Sequence, residues 1–322
     1  MKLLVTGARG FIGRGLCDHL AAHGHTGLAT GREAPHGLPA GWTGAPRHTL
    51  LDTPAAIADI HTIVHLEVKQ HIPRPTPADI DDFTTVNVGG TRAWLDWAAR
   101  QGIRRFVLLS SIKAVAAGDG PMTEAGRPET TAPYGRSKAE AEAAVRQWAA
   151  ADPTRSAVIL RPAPVYGPGN EANLAAFVRQ ILAGKPCLIG GGETRKSIVS
   201  RENLCGAIAF AAERSTPGCE VFNVSDRDTP SLGELAATIA ELAGAAPPKR
   251  IPAWLAGVIA PLGDAIEAAT GRDFPLTSAR LRAIRETTIF PCDKLVAAGF
   301  THPQTTRAGL AEMIAWTRES RA

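Results

Sequence analysis

Two side chains with complementary chemistry stand four residues apart in Tyr134-Gly135-Arg136-Ser137-Lys138. At a helix start that spacing puts both on one face. A free phenol titrates at about 10 and is a poor acid or base at neutral pH. A nearby ammonium favours the phenolate, so the tyrosine can give a proton to a forming alkoxide or take one from an alcohol. Taken alone, the same pair also describes a surface tyrosine beside a solvated lysine. A second polar group, Ser110-Ser111, follows the apolar run 106–109. Ligands of open parallel sheets bind at the carboxyl ends of strands, so a Ser111 hydroxyl at such an end is placed to hold a substrate oxygen near the tyrosine. A helix cap is the other common use of a serine there.

A third cluster opens the chain. Residues 2–6 form an apolar run without polar alternation, the pattern of a parallel strand buried on both faces. Gly7, Gly10 and Gly13 follow, and an amphipathic helix carrying Phe11, Ile12, Leu16 and Leu20 begins at once. Strand, glycine turn and helix bring a helix N-terminus against a pyrophosphate. A tight turn with no ligand is the alternative.

The elements that position these groups alternate. Strands are expected at 25–30, 48–51, 62–66, 106–109 and 157–160, and helices at 82–100 and 137–150. Residues 33–47 and the prolines at 73, 75 and 77 read as loops. This rhythm calls for an α/β doubly wound parallel sheet with right-handed crossovers. Past Pro162 it changes: a helix at 173–183, glycines at 190–192, a helix at 202–213, a strand at 221–224, then mainly helix. The expected division is a dinucleotide-binding domain of 1–165 to which 200–226 returns, and a smaller, mainly helical substrate region of 166–199 and 227–322.

Composition narrows the function classes. A chain of 322 residues with 44% hydrophobic and 20% charged residues is ordinary for a soluble globular protein. The net charge of +4 is small, and no Lys/Arg cluster points to a nucleic acid. Five scattered cysteines show no metal or redox spacing, so no metal is expected and reduced thiols in the cytoplasm are. The start reads as a strand, not a signal peptide. The apolar stretch 251–263 is too short to span a bilayer. It reads as a packed helix or, alternatively, as a surface for a membrane or a hydrophobic substrate.

With these motifs in order, the chain resembles an extended short-chain dehydrogenase/reductase of the NAD-dependent epimerase/dehydratase family, whose nucleotide-binding domain is Rossmann-like. The matching segments are Thr6-Gly7-Ala8-Arg9-Gly10-Phe11-Ile12-Gly13, Val64-His65-Leu66, Asn87-Val88-Gly89-Gly90-Thr91, Ser110-Ser111, Tyr134 to Lys138, Leu160-Arg161-Pro162 and Val165-Tyr166-Gly167-Pro168-Gly169. Glu202-Asn203-Leu204 and Val221-Phe222-Asn223-Val224-Ser225 follow. The resemblance implies a nicotinamide cofactor with its pyrophosphate on Gly7, Gly10, Phe11, Ile12 and Gly13. It places Asp52 and Thr53 near the adenine, Leu66 and Glu67 beside the ribose, and Lys138 on the nicotinamide ribose. Asn87 props the helix near the site. Glu67 departs from the family, where a small residue follows His-Leu.

The resemblance also frames the reaction. Hydride passes between nicotinamide C4 and a carbinol carbon, with Ser111, Tyr134 and Lys138 as the catalytic set. Ser111 is followed by Ile112-Lys113 and not by an Asp-Glu pair, which argues against a dehydratase. The remaining outcomes are reduction or epimerisation at C4 of a UDP-sugar. Arg195 or Lys196 is the expected partner of the nucleotide diphosphate. Thr30-Gly31-Arg32 carries no acid, and Arg32 could pair with a 2′-phosphate, so the cofactor reading leans to NADP over NAD. Ala163-Pro164, where many UDP-sugar epimerases have a substrate-binding Asn, keeps a hydroxysteroid-like dehydrogenase and a non-catalytic NADP sensor as alternatives. Family members often form homodimers through two long helices.

Overall fold

The computed structural model describes residues 1–52, 59–72, 74–118, 120–271, 274 and 276–320. Among them, seven parallel strands form one sheet: β1 (Lys2–Thr6), β2 (Thr26–Gly31), β3 (Trp42–Pro46), β4 (Thr62–His65), β5 (Arg105–Leu109), β6 (Ser156–Pro162) and β7 (Gly218–Val224). Their spatial order is β3-β2-β1-β4-β5-β6-β7, so the order reverses between β1 and β4. That reversal opens a crevice at the carboxyl ends of those two strands.

The uninterrupted apolar runs exist because both sheet faces are covered. Leu3 and Val5 of β1 join one core with Leu16 and Leu20 of α1 (Phe11–Ala22) and Leu204 and Ile208 of α7 (Arg201–Glu213). Leu4 turns to the other face, against Trp94 and Trp97 of α4 (Gly90–Arg100) and Val145 and Trp148 of α5 (Pro133–Ala150).

Three local expectations change. Residues 33–47, read as loop, contain β3, which pairs with β2 at the sheet edge. An edge strand tolerates the Gly44 and Pro46 that disguise it. Residues 48–51, read as a strand, belong to helix α2 (Arg47–Asp52). A four-residue apolar run does not distinguish the two, and β3 already occupies the edge of β2. The helix expected from Asp82 begins earlier, at α3 (Pro77–Asp82), where Thr76 and Asp79 form a capping box and Pro77 takes the first turn. A π-helical segment, Phe83–Gly89, then leads into α4.

The chain divides into two compact units. The first comprises Met1–Val165, Val199–Ser225 and Phe290–Pro303; the second comprises Tyr166–Ile198, Asp226–Ile289 and Gln304–Ala322. Residues 290–303, assigned by sequence to the helical region, group with the sheet instead. Lys294 Nζ donates to Val221 O at 2.9 Å, and Ser225 Oγ donates to Phe290 O at 3.0 Å.

In the second unit, α6 (Asn173–Leu182), α8 (Leu232–Leu242) and α12 (Thr306–Glu319) enclose their own core. Beside it lie a short parallel pair, Pro186–Ile189 with Lys249–Ile251, and helices α9 (Ala253–Thr270) and α10 (Ser278–Arg285). No helix among the described residues is long and apolar enough to cross a membrane.

Candidate active site

The loop after β1 is built without room for side chains. Gly7 has φ +67°, and a Cβ there would lie 2.9 Å from Glu67 N. A Cβ on Gly13 would lie 2.5 Å from Gly7 O. Gly10 caps α1 without a side-chain hydrogen bond, and the first turn of α1 has no acid. The positive helix end therefore meets no competing carboxylate of its own turn, which suits a pyrophosphate. The residues present fit a dinucleotide.

The next layer fixes β4 beside this loop. Thr6 Oγ1 lies 2.8 Å from His65 Nδ1 and accepts from the N–H groups of Leu66 and Glu67. His65 Nε2 faces Thr91 Oγ1 at 3.2 Å, whose own proton goes to Asn87 O at 2.6 Å. Donor counting thus assigns the His65 proton to Nε2. Burial, then Lys138 and Arg47, push its pKa down to about 3, so the imidazole is neutral. Glu67, the departure from the family pattern, accepts from Arg47 Nη1 at 3.1 Å and from Trp94 Nε1 at 3.2 Å.

At the end of β5 the structure joins the predicted catalytic set. Ser111 caps a short 3₁₀ turn, Ile112–Ala114, where its hydroxyl accepts from Lys113 N at 3.1 Å, and it is near enough to Tyr134 to pull that phenol's pKa down. Gly135 makes this approach possible: a Cβ there would lie 2.4 Å from Lys113 O. The Tyr134 ring packs edge-on against Phe83 and His71, with centroids 5.7 and 5.4 Å away. Lys138 is buried and donates to Leu109 O at 2.8 Å. Asn87 Nδ2 donates to Ser137 Oγ at 2.9 Å, and Ser137 Oγ donates to Tyr134 O at 2.8 Å, so the π-helical segment holds the first turn of α5.

The electrostatics differ from the simplest expectation. Burial raises the Tyr134 pKa, partly offset by Ser111. Burial also lowers Lys138 to about 8, opposed by Glu142. In this state desolvation dominates both groups, and Tyr134 is a protonated donor at neutral pH.

Glu142, which the sequence reading missed, stands one further turn along α5. Burial works to raise its pKa, but the bonds and charge of Arg161, together with Ser110, outweigh that and hold it down. Arg161 Nε and Nη2 donate to its two oxygens at 2.8 and 2.7 Å, and Ser110 Oγ donates at 2.7 Å. The signal was legible: Tyr134, Lys138 and Glu142 repeat at a spacing of four.

Other predicted residues belong to other elements. Arg32 is exposed just past β2, and Asp52 is exposed at the end of α2. Thr53 lies outside the described residues. Glu33, also unanticipated, pairs with Arg9, and that bond keeps its pKa low. Arg195 and Lys196 belong to the second unit. Arg195 Nη1 donates to Thr229 O at 2.7 Å and pairs with Glu234 at 3.3 Å. Lys196 Nζ caps the end of α10 through Ala283 O and Glu286 O, at 3.0 and 2.8 Å. Tyr166, the second tyrosine of the chain, is buried in that unit's core with its hydroxyl on Asp226.

Residues 3–225 match the model of the NAD dependent epimerase/dehydratase family. The chain belongs to that family. Among its relatives is the N-acetyl-alpha-D-glucosaminyl-diphospho-ditrans,octacis-undecaprenol 4-epimerase of Escherichia coli O157:H7, 28% identical over 79% of this chain and 77% of that protein. The ceramide reductase of Caulobacter vibrioides is 32% identical over 76% of this chain and 71% of its own. Among solved structures, MoeE5 in complex with UDP-glucose and NAD superposes with a TM-score of 0.74 at 27% identity, covering both chains fully. The doubly wound sheet and helical C-terminal region read from the sequence are those of this family.

Proposed function

We propose that this enzyme inverts C4 of a pyranose carried on a diphosphate, by hydride transfer to a nicotinamide cofactor and back. The observation that carries the reading is Tyr134 one turn before buried Lys138 on α5, with Lys138 bonded to the end of β5 at Leu109 O, two residues before Ser111. A dinucleotide held at Gly7, Gly10 and Gly13 would supply the acceptor for the carbinol hydride and, once the ketone presents its other face, the donor that inverts C4. Tyr134 takes the hydroxyl proton as the ketone forms and gives it back as the alcohol re-forms. Ser111 donates to the same oxygen and holds it beside the phenol. Lys138, charged below about pH 8, favours the phenolate that the oxidative half requires.

The diphosphate carrier is a UDP group or a polyprenol. MoeE5, which holds UDP-glucose, supports the first, and the undecaprenol-linked 4-epimerase supports the second. Glu33 brings an acid to the end of β2, which suits the free ribose hydroxyls of NAD, the cofactor in MoeE5. NADP, with release of a reduced product, is the second reading, carried by exposed Arg32. Michaelis constants for the two cofactors separate them: a preference for NAD that Arg32→Ala leaves unchanged supports the first.

Denaturing the purified protein and analysing the released dinucleotide tests the reaction. The epimerase reading expects retained NAD and C4 inversion of UDP-N-acetylglucosamine, UDP-glucose or a polyprenyl-diphospho-sugar without added reductant. Empty protein that consumes NADPH with a 4-keto-sugar overturns it in favour of a reductase. Turnover of none of these sugars, with reduction of a hydrophobic ketone, overturns the sugar assignment.

A further inference from the structure

Helix α9 turns its large apolar side chains to solvent. Trp254 is 72% exposed, Val258 56%, Leu262 58% and Ile266 42%. Their spacing of four places them along one face, over about 18 Å of helix. Gly257, Pro261 and Ala265 between them are exposed as well. The opposite face packs inward through Ala256, Ala260 and Gly263. The two acids of the helix are tied to its neighbours. Asp264 accepts from Ser278 N at 3.0 Å, and Glu267 accepts from Phe274 N at 2.9 Å. The stripe itself is uncharged, and Asp264 is the one exposed acid of the helix.

Cations frame it. Arg250 is exposed in the short strand that leads into α9, and Arg282 is exposed on α10, which packs against α9. Arg285 Nη2 donates to Ala253 O at 3.1 Å, fixing a guanidinium at the residue before Trp254.

We propose that this face of α9 seats on a membrane surface bearing anionic headgroups. Scattered exposed apolar residues are ordinary, but a contiguous stripe of four marks an interaction surface. An uncharged face with arginines on the adjoining strand and helix and a tryptophan at one end matches a helix lying in the plane of the interface. The charge balance selects anionic lipid over a second copy of this chain, because a second copy brings the same three arginines against a single exposed acid of the helix, Asp264. For its purpose, keeping the enzyme where a polyprenyl-linked sugar resides, the inference rests on that arm of the proposed function; the membrane contact itself does not.

Flotation of the full-length protein with phosphatidylcholine vesicles, with and without phosphatidylglycerol, tests it. Wild type floats with the phosphatidylglycerol vesicles, less so at high salt. Trp254→Ser with Leu262→Ser lowers the partition coefficient at least about tenfold, with an unchanged melting temperature. Arg250→Glu with Arg282→Glu lowers it on anionic vesicles only. Wild type remaining unbound at every phosphatidylglycerol content overturns the proposal, as does a serine variant that floats like wild type. A vesicle-indifferent dimer that the serine variant converts to monomer overturns it in favour of a copy-to-copy interface. The vesicles contain no sugar, so failure of the proposed reaction leaves this result untouched.

Discussion

Helices α5 and α9 are each 18 residues long, and both repeat their distinctive side chains every four residues. On α5 the repeat is Tyr134, Lys138 and Glu142, with both charges buried. On α9 it is Trp254, Val258, Leu262 and Ile266, all exposed. A buried charge persists only with a complete set of partners, and such a set fixes geometry. Arg161 and Ser110 give Glu142 such a set, whereas Leu109 O takes one of the three Lys138 protons, and its pKa falls to about 8. An exposed apolar face needs no partner for the chain to fold. Its function lies in what it meets afterwards.

The comparison can be broken from either side. The largest effect on stability is expected on α5. Glu142→Ala leaves the Arg161 guanidinium buried and unpaired, and should cost about 3–5 kcal/mol in urea unfolding. A loss below about 1 kcal/mol would mean that water reaches the pair.

Lys138→Met is next. Burial holds Lys138 at about 8 against its ordinary 10.5, so between those values the unfolded chain binds more protons than the folded one. Wild-type stability therefore rises across that window by about 3 kcal/mol relative to the variant. Below it, the buried charge is a full penalty that the methionine removes. Chemical denaturation of both proteins between pH 7 and 10.5 should show the gap closing in wild type's favour, while the variant is inactive throughout.

The smallest effect belongs to α9. Trp254→Ser with Leu262→Ser should change folding stability by no more than about 0.5 kcal/mol per site. A loss of several kcal/mol would show that the stripe is part of a core.

What the sequence disclosed follows from what each element needed locally. β1, β4, β5 and β6 were legible because strands buried on both faces are apolar without interruption. β3 was not, since an edge strand paired on one side tolerates Gly44 and Pro46, and those residues spell a loop. Helix α2 was mistaken for a strand because a short apolar run fits either period. Tyr134, Lys138 and Ser111 stood out by residue type and spacing, and it was the family resemblance that gave them a catalytic reading. Glu33 and His71 were not: what makes each notable is a partner brought by folding, Arg9 for one and the Tyr134 ring for the other. The pKa of Tyr134 was misjudged for a related reason. Spacing shows that Lys138 is near, but only the packed structure shows that burial raises the phenol and that Ser111 is what offsets it.

The central claim is that the Tyr134 hydroxyl moves the proton. Tyr134→Phe keeps the ring against Phe83 and His71 and removes only that hydroxyl. Steady-state turnover of the epimerised sugar, measured beside the dissociation constant of the dinucleotide, tests it most directly. The account predicts a fall in kcat of about a hundredfold to ten-thousandfold, with dinucleotide affinity within about twofold of wild type. Turnover retained at the wild-type rate would contradict it.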